Sequence, residues 1–397
     1  MSVSMFLRVV LGIALFSLMA TATAERLPVG DFFKDPEFSN VSLSPDGRYI
    51  TVSVPRGDRT VLAAFEVEGM KLVGKWDYGK NQHIDRVRWV NEERFILYIT
   101  EKTGRFDYRV GTPDLALSNV DGSKRKSIPH GGTYQIADLN WDDPQTILVQ
   151  RSYKSTFLFK LNVYTGKLTT IATAPLRTGQ FVLDGEGKVR YAIGQKDDKL
   201  DIVTLRRDGE EWTTVHTAPM GESVQLPLGF DRDNTRVLFA LSDAGEPTRL
   251  ALIDPESGEQ QLLSRNPNVD YSGLLLSRDE RDVLAVRYED GLPTYEFVAP
   301  DHPEAKVYAG LLQAFPDRAV EFSGVSRDGR YILLRAYSDI DPGSYYLFDR
   351  SSAKAKFLLT AREWIDPAQM SPMQPISLAA RDGTALHGYL TIPRGSD

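Results

Sequence analysis

Short apolar runs separated by polar turns recur along almost the whole chain. Near the N-terminus stands Val41-Ser-Leu-Ser-Pro-Asp-Gly-Arg-Tyr-Ile-Thr-Val-Ser-Val54. Late in the chain Phe322-Ser-Gly-Val-Ser-Arg-Asp-Gly-Arg-Tyr-Ile-Leu-Leu-Arg-Ala336 repeats it. Each reads as a short strand, a polar turn and an apolar strand. Pro45 presets the backbone at the second turn position, Asp46 can bond its own backbone, and Gly47 accepts positive φ. Weaker copies begin near Val87, Ala137, Phe181, Pro227 and Leu274, so that successive starts lie 44 to 50 residues apart.

A second hairpin follows each copy. The clearest is Leu158 to Ile171, folded around Thr165-Gly166; Leu250 to Leu263, around Ser257-Gly258, and Tyr345 to Leu359 match it. Four strands in roughly 45 residues is the period of a propeller blade. One blade cannot bury both of its faces, whereas a ring of them can. The pattern therefore predicts an all-β, seven-bladed β-propeller over residues 41–360, with no helix inside it. No strand is left over to complete a blade at the other end, so the ring is expected to close by packing the first blade on the last. Residues 25–40 form a separate N-terminal segment.

After the last repeat the character changes. Residues 361–375 read as a linker: a short helical turn up to Gln369, then the stiff Ser371-Pro-Met-Gln-Pro375. Residues 376–397 follow, with one hairpin, Ile376 to Pro393, around Arg381-Asp-Gly383. A lone hairpin is marginal in water and leaves both edges unpaired. It reads as the opening of a sheet.

The N-terminal 24 residues read as a secretory signal. Arg8 supplies the positive region, Val9 to Met19 the apolar run, and Ala22-Thr-Ala24 the cleavage site, which puts the mature start at about Glu25. The run is shorter than the about 20 residues a membrane anchor needs. The chain is expected to be exported, periplasmic or secreted, with no membrane span after cleavage near Ala24. The net charge of −7 gives no support for nucleic-acid binding, and Lys124-Arg-Lys126 reads as a solvated turn. Absence of cysteine excludes disulfides, thiolate metal sites and a cysteine nucleophile.

Leu27-Pro-Val-Gly-Asp-Phe-Phe33, the Ser-Pro-Asp-Gly turns, the sevenfold repeat and Arg381-Asp-Gly-Thr-Ala-Leu-His-Gly-Tyr-Leu-Thr-Ile-Pro393 together resemble the prolyl oligopeptidase family of serine peptidases. The likeness is to its dipeptidyl-peptidase and acylaminoacyl-peptidase-like members, and only to their N-terminal propeller part. The resemblance implies that the closing hairpin opens an α/β-hydrolase domain, truncated here, which would need roughly 200–250 further residues. It implies serine acyl transfer on short peptides, with the propeller gating access. A free-standing, TolB-like periplasmic propeller that binds a protein or peptide partner is the alternative.

The family's nucleophile sits in G-x-S-x-G. Gly221-Glu-Ser223-Val-Gln and Gly324-Val-Ser326-Arg-Asp come nearest, and both lack the closing glycine. No catalytic, cofactor-binding or metal-binding residue is therefore assigned, no cofactor is expected, and the chain alone is expected to be inactive. His83, His130, His216, His302 and His387 lack helix-spaced metal partners. The family's dipeptide-removing members hold the substrate amino terminus with paired glutamates; Glu92-Glu93 and Glu210-Glu211 are adjacent pairs, each read as a hairpin turn.

Overall fold

The computed structural model describes residues 27–105, 108–112, 114–128, 134–140, 143–152, 154–196 and 200–396. The expected signal at 1–24 and His130 lie outside these residues. Helix α1 (Val29–Phe33) leads into β1 (Ser39–Leu43), β2 (Tyr49–Arg56), β3 (Arg59–Glu66) and β4 (Leu72–Trp76), paired in that order. Next come β5 (Gln82–Trp89), β6 (Arg94–Thr103), β7 (Tyr108–Gly111), β8 (Leu115–Asn119) and β9 (Lys126–Ile128). Strand β6 pairs with β5, β7 and β8, and β8 with β9. A single parallel bridge, Thr60 to His83, joins the two groups into a nine-stranded sheet.

Three four-stranded antiparallel sheets follow. They are β10 (Tyr134–Asp138), β11 (Thr146–Ser152), β12 (Thr156–Asn162) and β13 (Leu168–Ala174); β14 (Thr178–Leu183), β15 (Val189–Gln195), β16 (Ile202–Asp208) and β17 (Glu211–Ala218); and β18 (Val224–Phe230), β19 (Val237–Ser242), β20 (Arg249–Ile253) and β21 (Gln260–Ser264). A three-stranded sheet holds β22 (Tyr271–Leu276), β23 (Val283–Tyr288) and β24 (Thr294–Phe297), and helix α2 (Pro303–Ala314) follows it. The last four-stranded sheet is β25 (Ala319–Val325), β26 (Tyr331–Tyr337), β27 (Ser344–Asp349) and β28 (Lys354–Thr360). Strands β29 (Met373–Ala379) and β30 (Ala385–Thr391) form a separate two-stranded ribbon. The architecture is an all-β propeller.

The repeated turn chemistry does what its residues dictate. Ser44 Oγ donates to Asp46 Oδ1 at 2.6 Å and accepts Tyr49 N at 2.9 Å, while Gly47 sits at φ 72°. Ser326, Asp328, Tyr331 and Gly329 reproduce every one of these features. Each such turn fixes the register of its first two strands, so the apolar residues of the second strand face into the core.

The core is divided among the seams between successive strand groups. Among the described residues seven apolar clusters line these seams. The one that closes the ring joins Val41, Leu43, Ile50 and Val52 to Leu333, Tyr345 and Leu347. No β-pairing crosses that seam among the described residues; Arg327 N donates to Pro45 O at 2.6 Å, and the rest is side-chain packing. The N-terminal segment straps the outside of the closure. Glu37 N donates to Ala361 O at 2.9 Å, Arg362 Nη1 to Phe32 O at 2.9 Å, and Trp364 Nε1 to Asp31 O at 2.9 Å.

Two expectations are corrected. Residues 41–360 do contain a helix. Pro303 occupies its first turn, the His302 ring caps Glu304 N, and Ala305, Tyr308 and Leu311 are buried at a spacing of three. It packs in the seam between the β22–β24 sheet and strands β25 and β26. The ribbon also begins earlier than Ile376. Met373 pairs with Thr391 and Pro375 with Tyr389, inside the stretch read as linker. A ribbon with two free edges tolerates a proline because its missing N–H can face outward.

Candidate functional site

In an up-and-down ring, turns between the first two strands of each sheet emerge on one face, and turns between the second and third on the other. The ribbon sits on the second of these faces. Tyr389 Oη donates to Gly291 O at 2.7 Å in the β23–β24 turn, and Met373 N donates to the Asp339 carboxylate in the β26–β27 turn. His387 Nδ1 lies 4.0 Å from Asp290 Oδ1. The ribbon makes no β-pair with the ring among the described residues, and Leu378, Leu386, Tyr389 and Ile392 are exposed.

Beneath these turns the seam between β23 and β25–β26 gathers charge. Arg287 Nη2 donates to Tyr337 Oη at 2.8 Å and lies 2.9 Å from Glu289 Oε1. Arg335 Nη2 donates to Pro342 O at 2.7 Å, and its Nη1 stands 3.7 Å from Glu321 Oε2. Tyr295 Oη donates to Val320 O at 3.0 Å. Burial pushes the Tyr295 phenol above its ordinary range; Arg287 opposes the shift, and Glu321, Tyr337 and Glu289 add to it. The Nε atoms of Arg287 and Arg335 are buried with no hydrogen-bond acceptor among the described residues. The carboxylates of Glu289 and Glu321 are half exposed. This arrangement holds no nucleophile with a base. It presents carboxylates and guanidiniums side by side, able to make charge-assisted hydrogen bonds. None of these residues stands out in the sequence, because the cluster forms only when two consecutive sheets meet.

The opposite face is crossed by contacts over the ring axis. Arg88 Nη2 on β5 reaches Glu280 Oε1 in the β22–β23 turn at 2.9 Å. Arg281 in the same turn donates to Gly185 O in the β14–β15 turn at 3.0 Å, and Gly185 N donates to Asn234 Oδ1 at 2.7 Å. One open cavity of about 440 Å³ lies along the nine-stranded sheet beside Tyr78 and Arg125. Its polar groups already pair with one another, Gln82 with Glu101 and Ser127 with Asp114.

The residues weighed from sequence are scattered. Glu93 accepts from Tyr164 Oη at 2.7 Å, and Glu92 is exposed 4.0 Å from Arg327, both on the face away from the ribbon. Glu210 pairs with Arg207 at the tip of β16–β17. Ser326 is fully buried and serves its turn, and Ser223 precedes β18. His83 is buried against Thr60, His216 lies on β17, His302 caps α2 and His387 lies on the ribbon. Among the described residues no three His, Asp or Glu side chains converge to hold a metal, and no helix is long and apolar enough to cross a membrane.

No family model matches the sequence. The chain is 25% identical over 373 residues to dipeptidyl aminopeptidase BIII of Pseudoxanthomonas mexicana, a match covering 92% of this chain and 53% of that protein. It is 20% identical over 394 residues to dipeptidyl peptidase family member 6 of Caenorhabditis elegans, covering 95% of this chain and again 53% of the relative. The chain is thus similar to the propeller-bearing half of dipeptidyl peptidases, and its fold to that of prolyl oligopeptidases. Solved structures share the fold. A prolyl endopeptidase aligns with TM-score 0.60 at 12% identity, over 92% of this chain and 55% of its own. Prolyl oligopeptidase B of Galerina marginata, without substrate, aligns with TM-score 0.58 at 12% identity, over 93% and 57%. The chain thus spans about half the length of the prolyl-oligopeptidase relatives it matches, and its sequence contains no G-x-S-x-G.

Proposed function

We propose that this chain is the substrate-gating propeller of an exported prolyl-oligopeptidase-like serine peptidase that acts on short peptides. The observation that carries the reading is coverage: nearly the whole chain matches, and it matches only half of each dipeptidyl peptidase. The nine-stranded sheet counts as two blades, because one bridge is its only join. With the five separate sheets this gives seven blades and seven seams. The ribbon opens an α/β-hydrolase sheet, which would supply the serine and its acyl-transfer chemistry. The ring excludes folded proteins by its dimensions and admits peptides, and the Arg287–Glu289–Glu321–Arg335 rim meets them on the ribbon side. The peptidase is exported, with the mature chain beginning near Glu25.

Two measurements test this. The DNA beyond codon 397 should encode G-x-S-x-G, in frame or after a frameshift, within roughly 250 codons. Purified residues 25–397 should release no p-nitroaniline from unblocked dipeptide anilides. The absence of any such downstream motif would favour the other reading, a free-standing binding propeller, and hydrolysis by this chain would contradict both. That alternative leaves the exposed apolar ribbon without a purpose.

A further inference from the structure

On the face away from the ribbon, a second cavity of about 380 Å³ is lined by Arg232, Arg278, Asp279, His302, Glu304 and Arg350, with Pro303. Most of its charge is matched. Arg232 reaches Asp279 at 2.9 Å and also pairs with Asp282. Glu304 accepts Arg278 N at 2.9 Å and lies 3.6 Å from its Nε. Arg350 is different. Its Nη1 donates to Gly329 O at 3.1 Å, and no carboxylate among the described residues pairs with it.

Two guanidiniums meet above Gly329. A Cβ placed on Gly329 would stand 2.5 Å from Arg278 Nη1 and 3.2 Å from Arg350 Nη1, so these nitrogens are no more than 5.7 Å apart. Like charges that close repel, and an anion between them turns the repulsion into attraction. Only the absence of a side chain at residue 329 leaves room for both forks.

Tyr308 adds a donor. Its ring is 2% exposed, packed 4.5 Å from the Phe322 ring. Helical side chains point back toward the helix start, which aims its hydroxyl at the Glu304 end of α2. Burial raises the phenol above its ordinary range, Glu304 adds to the shift, and Arg350 and Arg278 oppose it. No described residue hydrogen-bonds to it. The positive end of the helix dipole faces the same space.

We propose that this cavity is an oxyanion site that holds a phosphate group between Arg278 and Arg350, with the Tyr308 hydroxyl as a third donor. Planar guanidinium forks fit phosphate oxygens two at a time, which a scattered set of lysines would not do. Asp279 is already held by Arg232, and Glu304 engages Arg278 only at its backbone N and Nε, which leaves Arg278 Nη1 over Gly329.

Thermal melting of the chain tests the assignment, with inorganic phosphate or glycerol phosphate titrated to 20 mM against sodium chloride of equal ionic strength. At least one of the two should raise the melting temperature by a few degrees in a saturable way. Isothermal titration should give at least a tenfold weaker affinity in Arg350→Gln. Tyr308→Phe keeps the buried ring and should weaken binding at least threefold without moving the ligand-free melting point. Binding to the monoester alone would identify a phosphorylated metabolite or polymer as the source, and binding to both would identify free phosphate as sufficient. No shift beyond the chloride control, or an equal shift in both variants, would overturn the proposal.

Discussion

Among the described residues Arg94 is the largest charged side chain to be fully buried, and it ties two strand groups together. Its Nε donates to Val163 O at 2.7 Å, Nη1 to Asn119 Oδ1 at 2.7 Å and Nη2 to Lys124 O at 3.0 Å. Burial alone holds its pKa below the usual arginine value, and Tyr164 and Glu93 partly offset this. Lysine carries the charge but cannot fork to three acceptors. Arg94→Lys should therefore cost about 2–4 kcal/mol, read from the urea midpoint. His83 gives a second test. Its Nδ1 lies 3.0 Å from Thr60 Oγ1, and its Nε2 is buried with no partner among the described residues. Burial, then Arg109 and Lys102, lowers its pKa from the ordinary 6.5. Below pH 6.5 the unfolded chain takes up a proton that the folded chain refuses, so stability falls as the pH drops. His83→Gln should flatten the change in urea midpoint between pH 7.5 and 5.5; an unchanged slope would remove His83 from the account. Neither residue is legible in the sequence. Arg94 sits in an Asn-Glu-Glu-Arg string that reads as solvated turn, and only the seam with β12 and β13 buries it.

At the level of elements, the strands and turns were largely readable. Each repeat start falls within the first strand of its group, because Asp-Gly and its variants mark the reversal that follows. Helix α2 was missed although its signals are present, with Pro303 at the start and apolar residues three apart. The regular repeat argued for another strand, and the period outweighed the local cues. The ribbon was foreseen from Arg381-Asp-Gly, yet its first three residues were not, since two nearby prolines favour a linker reading. The rim of Arg287, Glu289, Glu321 and Arg335 had no local signal at all. It depends on the register of β25 against β26, where Glu321 faces Arg335, and on β23 lying alongside.

The molecule as a whole depends on a seam that no backbone ladder crosses. Leu333 is fully buried there, and Gly324 brings the inner strands together, since a Cβ on it would touch Leu43 Cβ at 3.4 Å. Leu158, also fully buried, occupies an ordinary seam between neighbouring sheets. If the ring is closed, Leu333→Ala and Leu158→Ala should each cost about 2–5 kcal/mol in urea unfolding. An open arc would make the Leu333 change cost below about 1 kcal/mol, as for a partly solvated side chain. The sequence foretold this mode of closure from one fact, that no strand was spare at either end of the repeat.

Amide hydrogen exchange on the isolated chain, resolved by peptide mass spectrometry, addresses the central claim most directly. Amides in β2, β11, β19 and β26 should open only with global unfolding, because each is an inner strand paired on both sides within its sheet. Amides of residues 373–391 should exchange orders of magnitude faster, since the ribbon is held to the ring by a few side-chain contacts. Protection of the ribbon equal to that of the ring strands would contradict the account.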